Sequence, residues 1–96
     1  MIAWVIYDIT NDKVRTRVAK YCLQSGLYRV QKSVFLGTLS SNERDALALK
    51  IEPEINHDQD KVYIFPMTKE ELRQVILMGQ AFDTKLVTDE VKALFF

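Results

Sequence analysis

Residues 2–8 read Ile-Ala-Trp-Val-Ile-Tyr-Asp, a short apolar run that ends in a carboxylate. The run is rich in β-branched and aromatic side chains, and it predicts a central strand over Ile2–Tyr7 that is covered by helices on at least one face. Side chains reach ligands where a strand gives way to a loop, so Asp8 is the first candidate for the chemistry of this protein. The alternative is that Asp8 only accepts hydrogen bonds from the free amides of the helix that follows.

The rest of the chain reads as alternating helices and strands. Capping side chains precede each predicted helix, and Gly26 and Pro53 stop the first two. The predicted helices run from the caps at residues 10–12 to Gly26, from Ser40 to about Glu52, and from Thr68 to about Met78. The predicted strands after the first are Leu27–Val30, Ser33–Leu39, Val62–Phe65 closed by Pro66, and a terminal strand at Val91–Phe96.

The order βαββαβ predicts an α+β fold of the ferredoxin-like kind, a four-stranded antiparallel sheet with two helices on one face. We expect residues 1–96 to form a single domain, with a core at about residues 1–66 and a C-terminal dimerisation segment at residues 67–96. A terminal strand that ends in two phenylalanines would be an exposed apolar edge if it stayed unpaired. The C-terminal strand is therefore expected to be exchanged or paired across a homodimer.

The charges are unevenly distributed along a chain that has no net charge at pH 7. Residues 1–32 carry six basic groups against two acidic ones, so this region can meet a polyanion, although an excess of this size is also within chance. The first apolar run has six residues and no basic region before it, which predicts neither a secretory nor a membrane-spanning segment. We expect a cytoplasmic protein without membrane contact. Because Cys22 and His57 are the only residues of their types, we expect neither an intrachain disulfide nor a zinc centre.

Arg15, Arg17 and Arg29 form a second group of candidates, because guanidinium groups bind phosphate in a bidentate manner. A solvated helix face is the simpler interpretation for any one of them. Arg15 and Arg17 are two residues apart on a helix, so they do not point the same way. Tyr7 and Phe35 can stack a nucleic-acid base, but packing in the core is the better interpretation for both.

Asp8 alone is too little for a tight magnesium site. Mg²⁺ takes octahedral oxygen coordination, usually from one or two carboxylates together with phosphate oxygens and water. A two-fold axis that passes near Asp8 would supply the second carboxylate.

Several blocks of the sequence resemble the Cas two family, the small CRISPR-associated endoribonucleases that partner the spacer integrase. The blocks are the Tyr7-Asp8-Ile9 strand end, the basic stretch KVRTRVAK at residues 13–20, and the hairpin from Gly26-Leu27 through RVQKSVFLG at residues 29–37. The strand end and the hairpin are the specific ones, because they occur at the family's spacing. Residues 60–66 look like the family's fourth strand, and residues 91–96 look like its dimer-exchanged fifth strand.

The resemblance implies a ferredoxin-like homodimer in which a symmetric pair of Asp8 carboxylates faces a shared divalent metal, Mg²⁺ or alternatively Mn²⁺. The implied function is spacer acquisition, with metal-dependent cleavage of single-stranded RNA or double-stranded DNA. The alternative is a non-catalytic scaffold that binds DNA and bridges dimers of the CRISPR integrase. The family residues implicated in nuclease activity match Tyr7, Asp8, Arg15, Arg17, Arg29 and Phe35 in this sequence.

Two other classes of function fit the predicted fold less well. A single-stranded RNA-recognition module needs stacked aromatics within a glycine-aromatic signature, which Ser33–Leu39 lacks. A small-molecule regulatory module is disfavoured by the basic residues predicted beside Asp8.

Overall fold

The computed structural model describes residues 1–83. Strands and helices alternate in the predicted βαββαβ order, followed by one short helix, which confirms the α+β fold. In chain order, the elements are β1 (Ile2–Asp8), α1 (Asp12–Gln24), β2 (Tyr28–Gln31), β3 (Val34–Thr38), α2 (Ser41–Ile51), a 3-10 helix (Glu52–Glu54), β4 (Lys61–Met67) and α3 (Lys69–Arg73).

The four strands form one antiparallel sheet in the order β2-β3-β1-β4. The apolar run at the start of the sequence is therefore a central strand, as predicted, with Val5 aligned to Phe35 on one side and to Ile64 on the other. The strand order is that of the predicted ferredoxin-like sheet.

Alternation along β1 divides the core between the two faces of the sheet. Ala3, Val5 and Tyr7 lie in a buried cluster with residues of α1 and α2, on what we call the helix face. Ile2 and Trp4 point to the other side, called the opposite face, where they pack in a second cluster. The chain after β4 supplies part of that second cluster, through Leu72, Val75 and Phe82.

The local signals in the sequence act where they were predicted. Asn11 caps α1, and its side chain accepts a hydrogen bond from the backbone N–H of Val14 at 3.1 Å. Gly26 ends the first helical segment with a φ of +88°, a conformation that glycine adopts without steric cost. The capping boxes predicted at Ser40 and Thr68 are both formed, each with the glutamate three residues later.

Most predicted strand ends in the sheet are wrong by one or two residues, and two of these errors have a clear place in the structure. The hairpin turn lies at residues 32–33, where residues 31–32 were expected. Strand β4 continues through Pro66 to Met67, whereas Pro66 was expected to close it. Because β4 is at the edge of the sheet that residues 1–83 form, the N–H that proline lacks is not needed for a ladder on its outer side within this part of the chain.

Helix α3 ends at Arg73, well before the predicted end near Met78. After α3, the chain crosses the opposite face of the sheet and reaches the edge of β2. There the side-chain amide of Gln31 donates to the carbonyl oxygens of Gln80 and Ala81, the second at 2.8 Å, and the N–H of Asp83 donates to the carbonyl oxygen of Val30 at 2.8 Å. These long-range contacts outweigh the helical pattern of the local sequence.

The predicted terminal strand Val91–Phe96 lies outside the described residues. Among helices of the described part, none combines the length and the apolar character that crossing a membrane requires.

Candidate functional site

Asp8 is the last residue of β1, and its side chain is exposed. It aligns with Lys61 of β4, and alternation places it on the opposite face of the sheet. Within residues 1–83, no hydrogen bond or ion pair engages its carboxylate. The capping interpretation is wrong for this residue, because Asn11 caps α1. Asp8 therefore has no structural task in the described part of the chain that would explain a carboxylate at this position.

The turn after Asp8 is held by two charged side chains. The Nη1 atom of Arg15 donates to the carbonyl oxygens of Ile9 and Thr10, both at 2.9 Å, and Arg15 also pairs with Asp12. Asp60 accepts a hydrogen bond from the backbone N–H of Thr10 at 3.1 Å. Arg15 is thus beside the strand end that carries Asp8, as the sequence indicated, but part of its guanidinium group is committed to the backbone.

Arg17 points elsewhere. Its Nε atom forms an ion pair with Glu54 of the 3-10 helix, and the hydroxyl of Tyr21 donates to the same carboxylate at 3.4 Å. Arg15 and Arg17 therefore diverge, as their spacing predicted, and the structure does not bring Arg17 to the side of α1 that Arg15 occupies.

Tyr7, Phe35 and Arg29 are stacked together inside the helix face. The rings of Tyr7 and Phe35 lie with centroids 6.2 Å apart, and the guanidinium carbon of Arg29 lies 5.4 Å from the centroid of Phe35. Both rings are buried, with 4% of Tyr7 and 0% of Phe35 exposed, so neither can stack a base in this conformation. Arg29 also donates to the carbonyl oxygen of Lys32, from Nε at 3.0 Å and from Nη2 at 2.6 Å. The core-packing interpretation of Tyr7 and Phe35 is confirmed.

Burial also sets the acid–base behaviour of this stack. Desolvation raises the pKa of the Tyr7 phenol above its usual value, and the phenol donates to the carbonyl oxygen of Lys32 at 3.4 Å. Desolvation raises the pKa of Cys22 to about 12, although the nearby charge of Arg29 opposes the shift. Neither group ionises near neutral pH, so neither is a general base here.

A basic groove of about 610 Å³ runs between α1 and the β2–β3 hairpin. Three cationic side chains line it, those of Arg15, Lys20 and Arg29, and so does the Asp12 carboxylate that pairs with Arg15. Hydroxyl and amide groups of Thr16, Gln24 and Ser33 add neutral hydrogen-bonding groups. Asp8 does not line this groove, since its side chain lies on the opposite face of the sheet. Arg15 and Arg29 of the predicted group therefore share one groove, which Arg17 does not line, and this groove and Asp8 lie on different faces of the sheet.

Glu54, Asp60 and Lys61 belong to this region and were missed as site residues from the sequence. Asp60 follows Asn56 in a polar loop, a pattern typical of side chains that organise turns, and this signal was available. Glu54 and Lys61 are recognised only through long-range contacts. Glu54 forms an ion pair with Arg17, and Lys61 is aligned with Asp8 in the sheet.

The opposite face beside Asp8 carries an exposed aromatic pair. Tyr63 and Phe65 of β4 stack with centroids 5.9 Å apart and are 49% and 45% exposed. They share the face of Asp8 and Lys61, because side chains two residues apart on a strand point the same way. We call Tyr63 and Phe65 the β4 patch.

At this strand end, one chain offers the single carboxylate of Asp8 as a possible metal ligand. No group of three or more histidine, cysteine, aspartate or glutamate residues that could hold an ion occurs among residues 1–83. An exposed carboxylate without hydrogen bonds fits a divalent ion that keeps several water ligands, and a tighter site requires a second carboxylate.

Comparison with known proteins gives consistent matches. The family model described as CRISPR associated protein Cas2 matches residues 1–75. CRISPR-associated endoribonuclease Cas2 1 of Archaeoglobus fulgidus is 40% identical over 67 residues, which cover 70% of this chain and 71% of that protein. CRISPR-associated endoribonuclease Cas2 2 of Chloroflexus aurantiacus is 37% identical over 79 residues, covering 82% of this chain and 93% of that protein. The crystal structure of Streptococcus pyogenes Cas2 superposes with a TM-score of 0.68 at 27% identity, over 82% of this chain and 100% of that chain.

Proposed function

Because this chain belongs to the family of CRISPR-associated protein Cas2, we propose that it is a metal-dependent endonuclease of spacer acquisition. The proposed enzyme is a cytoplasmic homodimer in which the Asp8 carboxylates of two subunits hold one Mg²⁺ ion, or Mn²⁺ in its place. Single-stranded RNA is the first substrate to test, because the relatives compared above are named endoribonucleases. Double-stranded DNA is the second.

The observation that carries the proposal is the state of Asp8. Its carboxylate is exposed at a strand end, and within the described residues it neither caps a helix nor pairs with a cation. A carboxylate that is free of structural contacts keeps all its oxygen lone pairs for a hard cation.

The β4 patch supports the pairing of two copies. An exposed stack of two aromatic rings on the same face as Asp8 is apolar surface of the kind that a subunit interface buries. In a two-fold interface the same patch of each subunit contacts the other, so a residue near the axis meets its own copy. Contact through the β4 patch would bring the two Asp8 side chains toward the same axis.

The residues of this chain then divide the work. A bound Mg²⁺ ion would polarise the scissile phosphate and lower the pKa of a water molecule that it coordinates. Asp8 holds the ion, and the cations of the basic groove bind the phosphates of the nucleic-acid strand. Arg15 and Arg29 each keep N–H donors beyond those used on the backbone, because a guanidinium group has five. Phe35 packs against the guanidinium group of Arg29, and Tyr7 stacks on the ring of Phe35, so these two aromatic residues hold Arg29 in place.

A cleavage assay tests the proposal. Labelled single-stranded RNA and double-stranded DNA are incubated with the wild type, Asp8→Ala and Asp45→Ala, with Mg²⁺ or with EDTA. Asp45 is a matched control, since it is an exposed aspartate on α2 whose ion pair within the described residues is with the neighbouring Arg44. We expect a loss of about 100-fold or more for Asp8→Ala and with EDTA, and none for Asp45→Ala. Equal cleavage by the wild type and Asp8→Ala would refute catalysis by this site.

The position of the basic groove favours a second candidate function, a non-catalytic scaffold that binds DNA and bridges dimers of the CRISPR integrase. The groove lies between α1 and the hairpin and does not include Asp8, so phosphate binding there does not require the carboxylate. For a scaffold, Lys20→Ala weakens DNA binding and lowers the salt slope by about one unit. Loss of spacer acquisition on deleting residues 91–96, with Asp8→Ala harmless, would favour the scaffold over the nuclease.

A further inference from the structure

The direction of the Asp8 side chain depends on the turn that follows it. Because no hydrogen bond or ion pair within residues 1–83 holds the carboxylate itself, its direction depends on the backbone of Asp8 and of the next residues. Only residues 9–11 separate the end of β1 from the start of α1. A change in the turn is therefore transmitted directly to Asp8.

The Asp60 carboxylate joins this turn to the loop before β4. One of its oxygens accepts from the N–H of Thr10 at 3.1 Å, and the other accepts from the N–H of Asn56 at 2.8 Å. The N–H of Asp60 in turn donates to the carbonyl oxygen of Asn56 at 2.8 Å. A single carboxylate thus links two segments that are 50 residues apart in the chain.

Arg15 complements Asp60 at the same turn. Arg15 donates to the carbonyl oxygens of Ile9 and Thr10, and Asp60 accepts from the N–H of Thr10. Both the acceptors and a donor of the backbone after Asp8 are therefore bound by charged side chains. Hydrogen bonds to ionised groups are shorter and stronger than those between neutral groups. The same backbone hydrogen bonds lower the pKa of Asp60, and this carboxylate therefore stays ionised at neutral pH.

We propose that Asp60 is a positioning residue for Asp8. Asp60 holds the Ile9–Thr10 turn, so that the Asp8 carboxylate already points toward the metal position before the metal binds. The inference rests on the proposed function, because it assigns Asp60 a role in the metal site of that function. Asp60 itself does not touch the metal or the substrate. Its effect is expected in the affinity for the ion.

The test measures Mn²⁺ binding by electron paramagnetic resonance and amide hydrogen exchange by NMR in the full chain. The variants are Asp60→Asn, Asp60→Glu, Asp8→Asn and the control Asp58→Asn. Asp58 lies in the same exposed loop, and it takes part there through its backbone N–H, which a side-chain substitution keeps. The neutral amide of Asp60→Asn offers one acceptor oxygen where the carboxylate offers two, so it cannot hold both segments.

We expect Asp60→Asn to weaken Mn²⁺ binding by about tenfold and to accelerate exchange of the Thr10 amide, with Asp58→Asn like the wild type. Asp60→Glu keeps the negative charge and both acceptor oxygens, so we expect its Mn²⁺ affinity to lie between those of Asp60→Asn and the wild type. A purely structural role would not predict this recovery, because the glutamate side chain is longer. Unchanged Mn²⁺ affinity in Asp60→Asn, with binding lost in Asp8→Asn, overturns the inference and leaves the proposed function standing. Unchanged affinity in Asp8→Asn overturns the proposed function and the role of Asp60 with it.

Discussion

Replacing Phe35 with leucine separates packing from chemistry at a residue that the sequence placed in the site. The ring is fully buried, stacks on Tyr7 with centroids 6.2 Å apart, and carries Arg29 at 5.4 Å. Leucine keeps much of the apolar volume, so the main losses are the aromatic pair, about 0.5–1.5 kcal/mol, and the cation–π contact, about 0.5–1 kcal/mol. We expect Phe35→Leu to lower the free energy of unfolding by about 1–2.5 kcal/mol, and Phe35→Ala to lower it by about 3–5 kcal/mol.

Urea unfolding followed by circular dichroism measures this loss, and an unchanged slope shows that the comparison is valid. A double-mutant cycle with Arg29→Met isolates the cation–π term, for which we expect a coupling of about 0.5–1 kcal/mol. An unfolding free energy for Phe35→Leu within about 0.5 kcal/mol of the wild type would refute the energetic reasoning. Loss of cleavage in a variant that is still folded would show that Phe35 contributes more than packing.

Three further predictions follow from single contacts. Glu54→Gln should release Arg17 from its ion pair, tighten nucleic-acid binding and steepen its salt slope by about one unit in fluorescence anisotropy; equal slopes would contradict this. Phe65→Thr should weaken the dimer at least tenfold in sedimentation equilibrium, because the interface loses the burial of one large apolar side chain. The control Leu49→Gln, on the exposed surface of α2, should leave the dimer unchanged. Equal effects of the two substitutions would rule out the β4 patch. Cys22, buried and with its pKa raised to about 12, should react with a thiol reagent at pH 8 only as fast as the protein unfolds, and rapid labelling of the folded state would disprove its burial.

The elements of this fold were predictable because their signals are local. The apolar run of β1 and the capping side chains of the three helices act within a few residues, and each appears where the sequence placed it. The errors arose where distant contacts decide. Pro66 is tolerated in β4 because that strand is at the edge of the sheet, and α3 ends early because the chain crosses to β2.

The candidate site was predictable in part for the same reason. Asp8 was located from the end of an apolar run, and Arg15 lies beside it because the helix begins just after the turn. The ion pair that removes Arg17 joins residues 37 positions apart, and no local pattern indicates such a partner. Lys61 became a neighbour of Asp8 only through the register of β1 and β4.

The stoichiometry of Mn²⁺ binding tests most directly whether two Asp8 carboxylates share one ion. We predict one tightly bound Mn²⁺ per two chains for the wild type, measured by titration under conditions in which the dimer is fully formed, and no tight binding for Asp8→Asn. A stoichiometry of one ion per chain, or tight binding that survives Asp8→Asn, would contradict the shared site.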